Sequence, residues 1–96
     1  TLEQLGITVG EMPRTLQREL GNAEGVYVES VAPNSPAAGE LLQGDVITAV
    51  GRTPVKTVDE LQRALNQIPS GRAVRLRVLR QVDNRTMEML VMFRMP

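Results

Sequence analysis

Apolar and polar positions divide this chain into short elements, cut by Gly and Pro. Leu5-Gly6-Ile7-Thr8-Val9 is a short alternating segment and predicts a strand, which Gly10 to Met12 breaks. Pro13 to Leu20 predicts a helix. Pro13 suits its first turn, Leu16 and Leu20 lie four apart, and Gly21 can close its end, leaving Arg14, Gln17, Arg18 and Glu19 to water. Gly25 to Val31 reads as a second strand. Ser35-Pro36 then predicts a short helix, with the Ser35 hydroxyl as N-cap acceptor and Pro36 at the first position, where a missing N–H is harmless. Gly44-Asp45 turns the chain into a strand over Val46 to Val50. Gly51-Arg52, with Gly first, suits a type II′ hairpin, and Pro54-Val55 leads out.

The clearest helix is Val58 to Ile68. Thr57 and Glu60 predict a capping box, with the Thr57 hydroxyl on a third-position amide and the Glu60 carboxylate reaching back to the Thr57 amide. Val58, Leu61, Leu65 and Ile68 recur at helical spacing as one apolar stripe, and Pro69-Ser70-Gly71 ends the helix. Val74-Arg75-Leu76-Arg77-Val78 alternates strictly, apolar in and Arg out. Asp83-Asn84 predicts a turn, and Met87 to Phe93 returns as the last strand. With no repeat and no low-complexity linker, the pattern predicts one α+β domain over residues 1–96, of about five strands and two or three helices.

Composition narrows the function. Tyr27 and Phe93 are the only aromatics, so the core must be aliphatic. The formal net charge is zero and Lys56 is the sole Lys, so no overall field draws the chain to nucleic acid or to an anionic membrane. Arg75 and Arg77 read as a solvated strand face. No apolar run approaches the ~20 residues of a membrane helix, so no direct membrane insertion is expected. Thr1 in place of Met suggests an excised fragment.

Without His or Cys the usual nucleophile–base pairs are missing, and no thiolate metal site or disulfide is possible. A Ser–Lys dyad would have to use Lys56, and no Ser is placed by sequence to meet it. Asp59 and Glu60 are adjacent and diverge on a helix, and the other carboxylates are scattered. No catalytic residue, metal ligand or cofactor is expected in this chain.

Four features in order carry a family resemblance: Leu5-Gly6-Ile7, the stretch Ser35-Pro36-Ala37-Ala38 through Gly44-Asp45-Val46-Ile47, the helix capped at Thr57, and the closing hairpin. Over Leu5 to Phe93 the chain resembles PDZ domains of the bacterial, circularly permuted kind. Such domains follow the protease unit in Deg-type (high-temperature-requirement) serine proteases and also occur in Lon-like and site-2 membrane proteases. The resemblance implies a partly open β-barrel or sandwich that binds peptides and performs no chemistry.

On that resemblance, the main-chain amides of Leu5, Gly6 and Ile7 cradle a peptide's C-terminal carboxylate. Ile7, Thr8 and Val9 offer an open edge to which a peptide adds as an antiparallel strand. The helix forms the other wall, with Val58 at the first groove-facing position, Gln62 one turn on and Leu65 closing the deep end. Val58 favours an apolar side chain two residues before the peptide's end, and Leu5, Ile7 and Leu65 make an aliphatic pocket for the last one. The implied partners are C-terminal or unfolded peptide segments with apolar ends, and an adjacent protease domain of the same chain. The implied setting is periplasmic or otherwise extracytoplasmic, with tethering to the membrane through the parent protein. A bulky residue at Gly6 is expected to abolish binding without unfolding the domain.

Two departures bear on the role. Deg-type domains often carry an Arg just before the carboxylate loop, whereas Thr1-Leu2-Glu3-Gln4 has none and Glu3 would repel a carboxylate. The Ala38-Gly39-Glu40-Leu41 spacing is one residue shorter than the usual Deg-type form and looks more like Lon-like proteins. An intramolecular gating or assembly domain with a closed groove is therefore the competing expectation, and a non-protease scaffold is a third. Met87, Met89, Met92 and Met95 read mainly as core, with an outward subset able to dock against a neighbour.

Overall fold

The structure, a computed structural model, describes residues 2–96; Thr1 lies outside them. Three helices and six strands follow one another: α1 (Leu2–Leu5), β1 (Ile7–Gly10), α2 (Arg14–Glu19), β2 (Val26–Val31), β3 (Val46–Val50), β4 (Thr53–Pro54), α3 (Val58–Asn66), β5 (Ala73–Val82) and β6 (Arg85–Arg94). All pairings between these strands are antiparallel, and the sheet runs β1-β2-β3-β5-β6 with β4 as a short spur on β3. β1 and β6 therefore lie at its two ends.

Period-two patterning fills the core. Val74, Leu76 and Val78 of β5 are fully buried, and Val91 and Phe93 of β6 are cross-strand partners of Leu76 and Val74 on the same face. Ile47, Val26, Val28, Leu61 and Leu65 complete an aliphatic interior. The β3–β4 turn is Gly51-Arg52 between paired Val50 and Thr53, with Gly51 at φ 59°. Asp83 and Asn84 both take positive φ (51° and 65°), as a two-residue type I′ hairpin demands.

Five local expectations are corrected. Leu5 closes the one-turn α1 instead of opening a strand, because the α1 turn buries both Leu2 and Leu5. Ser35 caps no helix. Its hydroxyl donates to the Ala32 carbonyl (2.7 Å), and residues 36–41 form successive turns that sink Ala37 and Leu41 into the core. Pro13 stands just outside α2 as its N-cap residue, and no side chain of α2 is fully buried. In α3 the Thr57 hydroxyl accepts from the Glu60 amide (3.1 Å), but the Glu60 carboxylate takes the Lys56 amide (3.1 Å), one residue earlier than expected. The apolar stripe of α3 also divides: Leu61 and Leu65 are buried, while Val58 is 37% exposed.

One polar cluster is deeply placed. Asp45 is 1% exposed, and its carboxylate accepts from Arg80 Nε (2.8 Å), Arg80 Nη2 (2.7 Å) and the Leu42 amide (3.0 Å). Arg80 Nη2 also donates to the Glu40 carbonyl (2.9 Å). This bidentate clamp fastens the 36–45 loop to the β5–β6 hairpin. The hydrogen bonds that Arg80 donates to Asp45 raise the Arg80 pKa above its ordinary value, so the guanidinium stays charged.

Candidate functional site

β1 owes its end position to its pairing. Ile7 lies opposite Val31 and Thr8 opposite Ser30, and among the described residues nothing pairs with the other side of β1. The Gly6 carbonyl accepts from the Ala32 amide (2.8 Å). Antiparallel alternation then turns the main chain of Gly6 and Thr8 toward β2 and that of Ile7 and Val9 toward the free edge. Thr8 thus sits within the expected pairing strand but spends its backbone on β2. A bulge follows, since Val9 pairs with Val28 and leaves Glu29 as the extra residue of β2.

The loop before β1 has the conformation of an anion nest. Leu5 is helical and Gly6 is left-handed at φ 73°, and that succession swings consecutive amides toward one point. The Gly6 amide already donates to the Glu3 carbonyl (3.0 Å). A cleft of about 360 Å³ lies beside this loop, lined by Glu3, Gly6, Ala32 and Ser35 among others. A Cβ on Gly6 would overlap the Ser35 Cβ and lie 2.8 Å from its Oγ. A bulky residue there therefore disturbs the fold as well as the loop, contrary to the expectation that it would act on binding alone.

Leu5, Ile7 and Leu65, the expected floor of the terminal pocket, are all buried in one core cluster. Val58 and Gln62 are exposed on α3. At the far end of β1 from Gly6, an open cleft of about 550 Å³ is lined by Gly10, Arg14, Glu24, Lys56, Thr57 and Val58, with other residues of the β1–β2 connection. The N-terminus of α3 thus stands by the C-terminal end of β1. Arg14 and Lys56 sit in that cleft, away from the carboxylate loop. They were not expected at the site, and no local motif marks them, because the fold alone brings residues 10–26 beside residues 56–58.

Among the described residues no cluster of His, Cys, Asp or Glu can hold a metal ion, and no helix is long and apolar enough to cross a membrane.

An antiparallel sheet with β1 as a free edge strand, a glycine nest at the start of that strand and a helix beside its end defines a class of small domains built to accept an added strand. The chain belongs to the PDZ domain family, whose sequence profile matches residues 4–91. It is 38% identical over 78 residues to a probable periplasmic serine endoprotease, DegP-like, of Marinomonas sp. (strain MWYL1), covering 81% of this chain and 17% of that protein. It is 41% identical over 76 residues to the magnetosome formation protease MamE of Magnetospirillum gryphiswaldense, covering 78% of this chain and 10% of that protein. Among solved structures it is similar to the HtrA3 PDZ domain bound to a phage-derived ligand (FGRWV), with a TM-score of 0.69 and 29% identity over 94% of this chain and 82% of that one. The chain thus spans less than a fifth of the length of these two curated relatives.

Proposed function

We propose that this domain captures the C-terminal end of a polypeptide by adding it as a strand to the free edge of β1, with α3 as the opposite wall. The observation that supports this reading best is the outward main chain of Ile7 and Val9, beginning at the helical–left-handed succession of Leu5 and Gly6. The amides of Leu5, Gly6 and Ile7 would hold the terminal carboxylate. To use its own amide, Gly6 must release the Glu3 carbonyl, a loss of about 1 kcal/mol set against a charge-assisted bond of about 1.5–3 kcal/mol. The exchange is favourable but narrow, and among the described residues no Lys or Arg lines the cleft at this end of β1. Affinity on the order of micromolar follows for a single short peptide.

Selectivity would rest on aliphatic walls: Leu5, Ile7 and Leu65 for the final side chain, and Val58, with Gln62 beside it, for the one two residues earlier. Peptides ending in Val, Leu, Ile, Ala or Phe are the expected partners. Because the DegP-like relatives are periplasmic proteases, the parent of this domain is read as an extracytoplasmic protease, held at the membrane by another part of the protein. There the domain would present substrates or sense exposed C-termini. A second reading, an internal gate whose groove is closed against its own protein, draws on the Glu3–Gly6 bond and on the acidic Glu3 beside the nest.

Fluorescence titration with labelled peptides ending in apolar residues, free or amidated at the C-terminus, separates these readings. Amidation is expected to weaken binding by tenfold or more, because one charge-assisted bond of about 1.5–3 kcal/mol exceeds the roughly 1.4 kcal/mol that tenfold requires. Equal affinity for both forms rules out the carboxylate cradle, and no binding of either form favours the gate.

A further inference from the structure

The opposite end of the sheet is also free. β6 pairs with β5 along its whole length without a register shift and, among the described residues, with nothing on its other side. Long unbroken edges are usually blunted by Pro, bulges or charged side chains; β6 has no Pro and no bulge, and its charges are Arg85, Glu88 and Arg94, of both signs. It also exposes large apolar side chains: Leu90 is 61% exposed, Met92 49% and Met87 47%.

The direction of its free hydrogen-bonding groups can be read from its neighbours. The Met95 amide donates to the Arg72 carbonyl (2.8 Å), and the Met95 carbonyl accepts from the Gly71 amide (2.8 Å). Alternation therefore turns odd-numbered residues of β6 toward β5 and the main chain of Thr86, Glu88, Leu90, Met92 and Arg94 outward. An antiparallel partner must set outward groups against outward groups. If the partner is a second β6, only registers pairing even residues with even residues are possible.

One of these registers is complementary throughout. Centred on Val91, it sets Glu88 opposite Arg94 of the second copy, twice by symmetry, and Leu90 opposite Met92, also twice. On the other face it sets Val91 against itself, Met89 against Phe93, and Met87 against Met95. Shifting by one hydrogen-bonded step places Glu88 against Met92 or Pro96 and loses both ion pairs. Among the described residues Glu88 has no ion pair, and Arg94 spends one N–H on the Gly71 carbonyl (3.2 Å) without meeting a carboxylate.

We propose that the β6 edge is a self-association surface, pairing antiparallel with β6 of a second copy about a two-fold axis at Val91. The contact is isologous, so it closes as a dimer and does not propagate. It joins two five-strand paths into one sheet and leaves both β1 edges free at its ends. Two peptide sites held on one rigid body would favour a substrate that offers two ends, by effective concentration.

Sedimentation equilibrium of the 96-residue chain tests this, from about 10 µM to about 1 mM, a range suited to a small strand-edge interface. The wild type is expected to show a monomer–dimer equilibrium. Glu88→Arg or Arg94→Glu, each placing like charges opposite, should weaken dimerisation about tenfold or more, and the double swap Glu88→Arg/Arg94→Glu should restore it. Leu90→Lys should weaken it independently. All these positions are exposed, so circular dichroism should show unchanged folding. A wild type that stays monomeric throughout, a dimer indifferent to these single changes, or a double swap that does not recover would each overturn the proposal.

Discussion

Gly6→Ala tests how tightly the nest is locked to the loop behind it. Gly6 sits at φ 73°, where an L side chain is opposed by its own carbonyl, at roughly 1–2 kcal/mol. Its new Cβ would overlap the Ser35 Cβ, lie 2.8 Å from the Ser35 Oγ and 3.2 Å from the Ala32 Cβ. The Ser35 Cβ is anchored to backbone that is itself held by the Ser35 amide on the Ala32 carbonyl (3.3 Å), so it cannot swing aside. Overpacking of this kind costs about 1–3 kcal/mol, and the two effects together come to about 2–5 kcal/mol. Against a typical total of about 5–15 kcal/mol, the variant should still fold at 25 °C, with its thermal midpoint lowered by roughly 10–30 °C. Urea unfolding followed by circular dichroism measures the loss.

The cycle with Ser35→Gly isolates the clash. That change alone removes the hydroxyl bond to Ala32 and costs about 1 kcal/mol, but it also removes the atom that collides. The double variant should therefore lose at least about 1 kcal/mol less than the two single losses added together. A Gly6→Ala loss under about 1 kcal/mol, or strictly additive losses, would refute the reasoning, because either result means the loop moves freely behind the nest.

The remaining predictions concern stability. Arg80→Met should destabilise by about 3–5 kcal/mol, because Asp45 stays buried with only the Leu42 amide to hold it. Arg77→Met, on the exposed face of the same strand, should change the unfolding free energy from urea titration by no more than about 0.5 kcal/mol; equal effects at the two positions would rule out the clamp. Thr57→Ala should cost about 1 kcal/mol through the lost cap on the Glu60 amide, and an unchanged midpoint would show that packing alone holds the start of α3.

Elements with an unambiguous period were legible in the sequence. β3 emerges with the expected bounds Val46–Val50, and the alternating core of β5 emerges at Val74, Leu76 and Val78. α3 begins at Val58 as its cap predicts, and it ends at Asn66, two residues early. Short segments were less legible because their local options are nearly equal in energy. A Ser-Pro-Ala-Ala run can start a helix or a chain of turns, and the gain from burying Ala37 and Leu41 chose turns. Leu5 could open a strand or close a helical turn, and the chance to bury Leu2 and Leu5 together chose the helix. The Glu60 carboxylate had two amides within reach and took that of Lys56.

The order of apolar, small and capping residues along the chain was enough to assign the family, its class of fold and the residues at which to look for a peptide site. Period and capping act over a few residues and therefore leave their mark in the linear order. The tertiary structure alone decided which strand edges stay free, that the Gly6 amide turns back on Glu3, that Arg14 and Lys56 line one cleft at the far end of β1, and that Asp45 is neutralised from Arg80, 35 residues away. These depend on strand register and on which loop covers which core. Register is set by the summed burial of several strands at once, and no single stretch of sequence carries that sum.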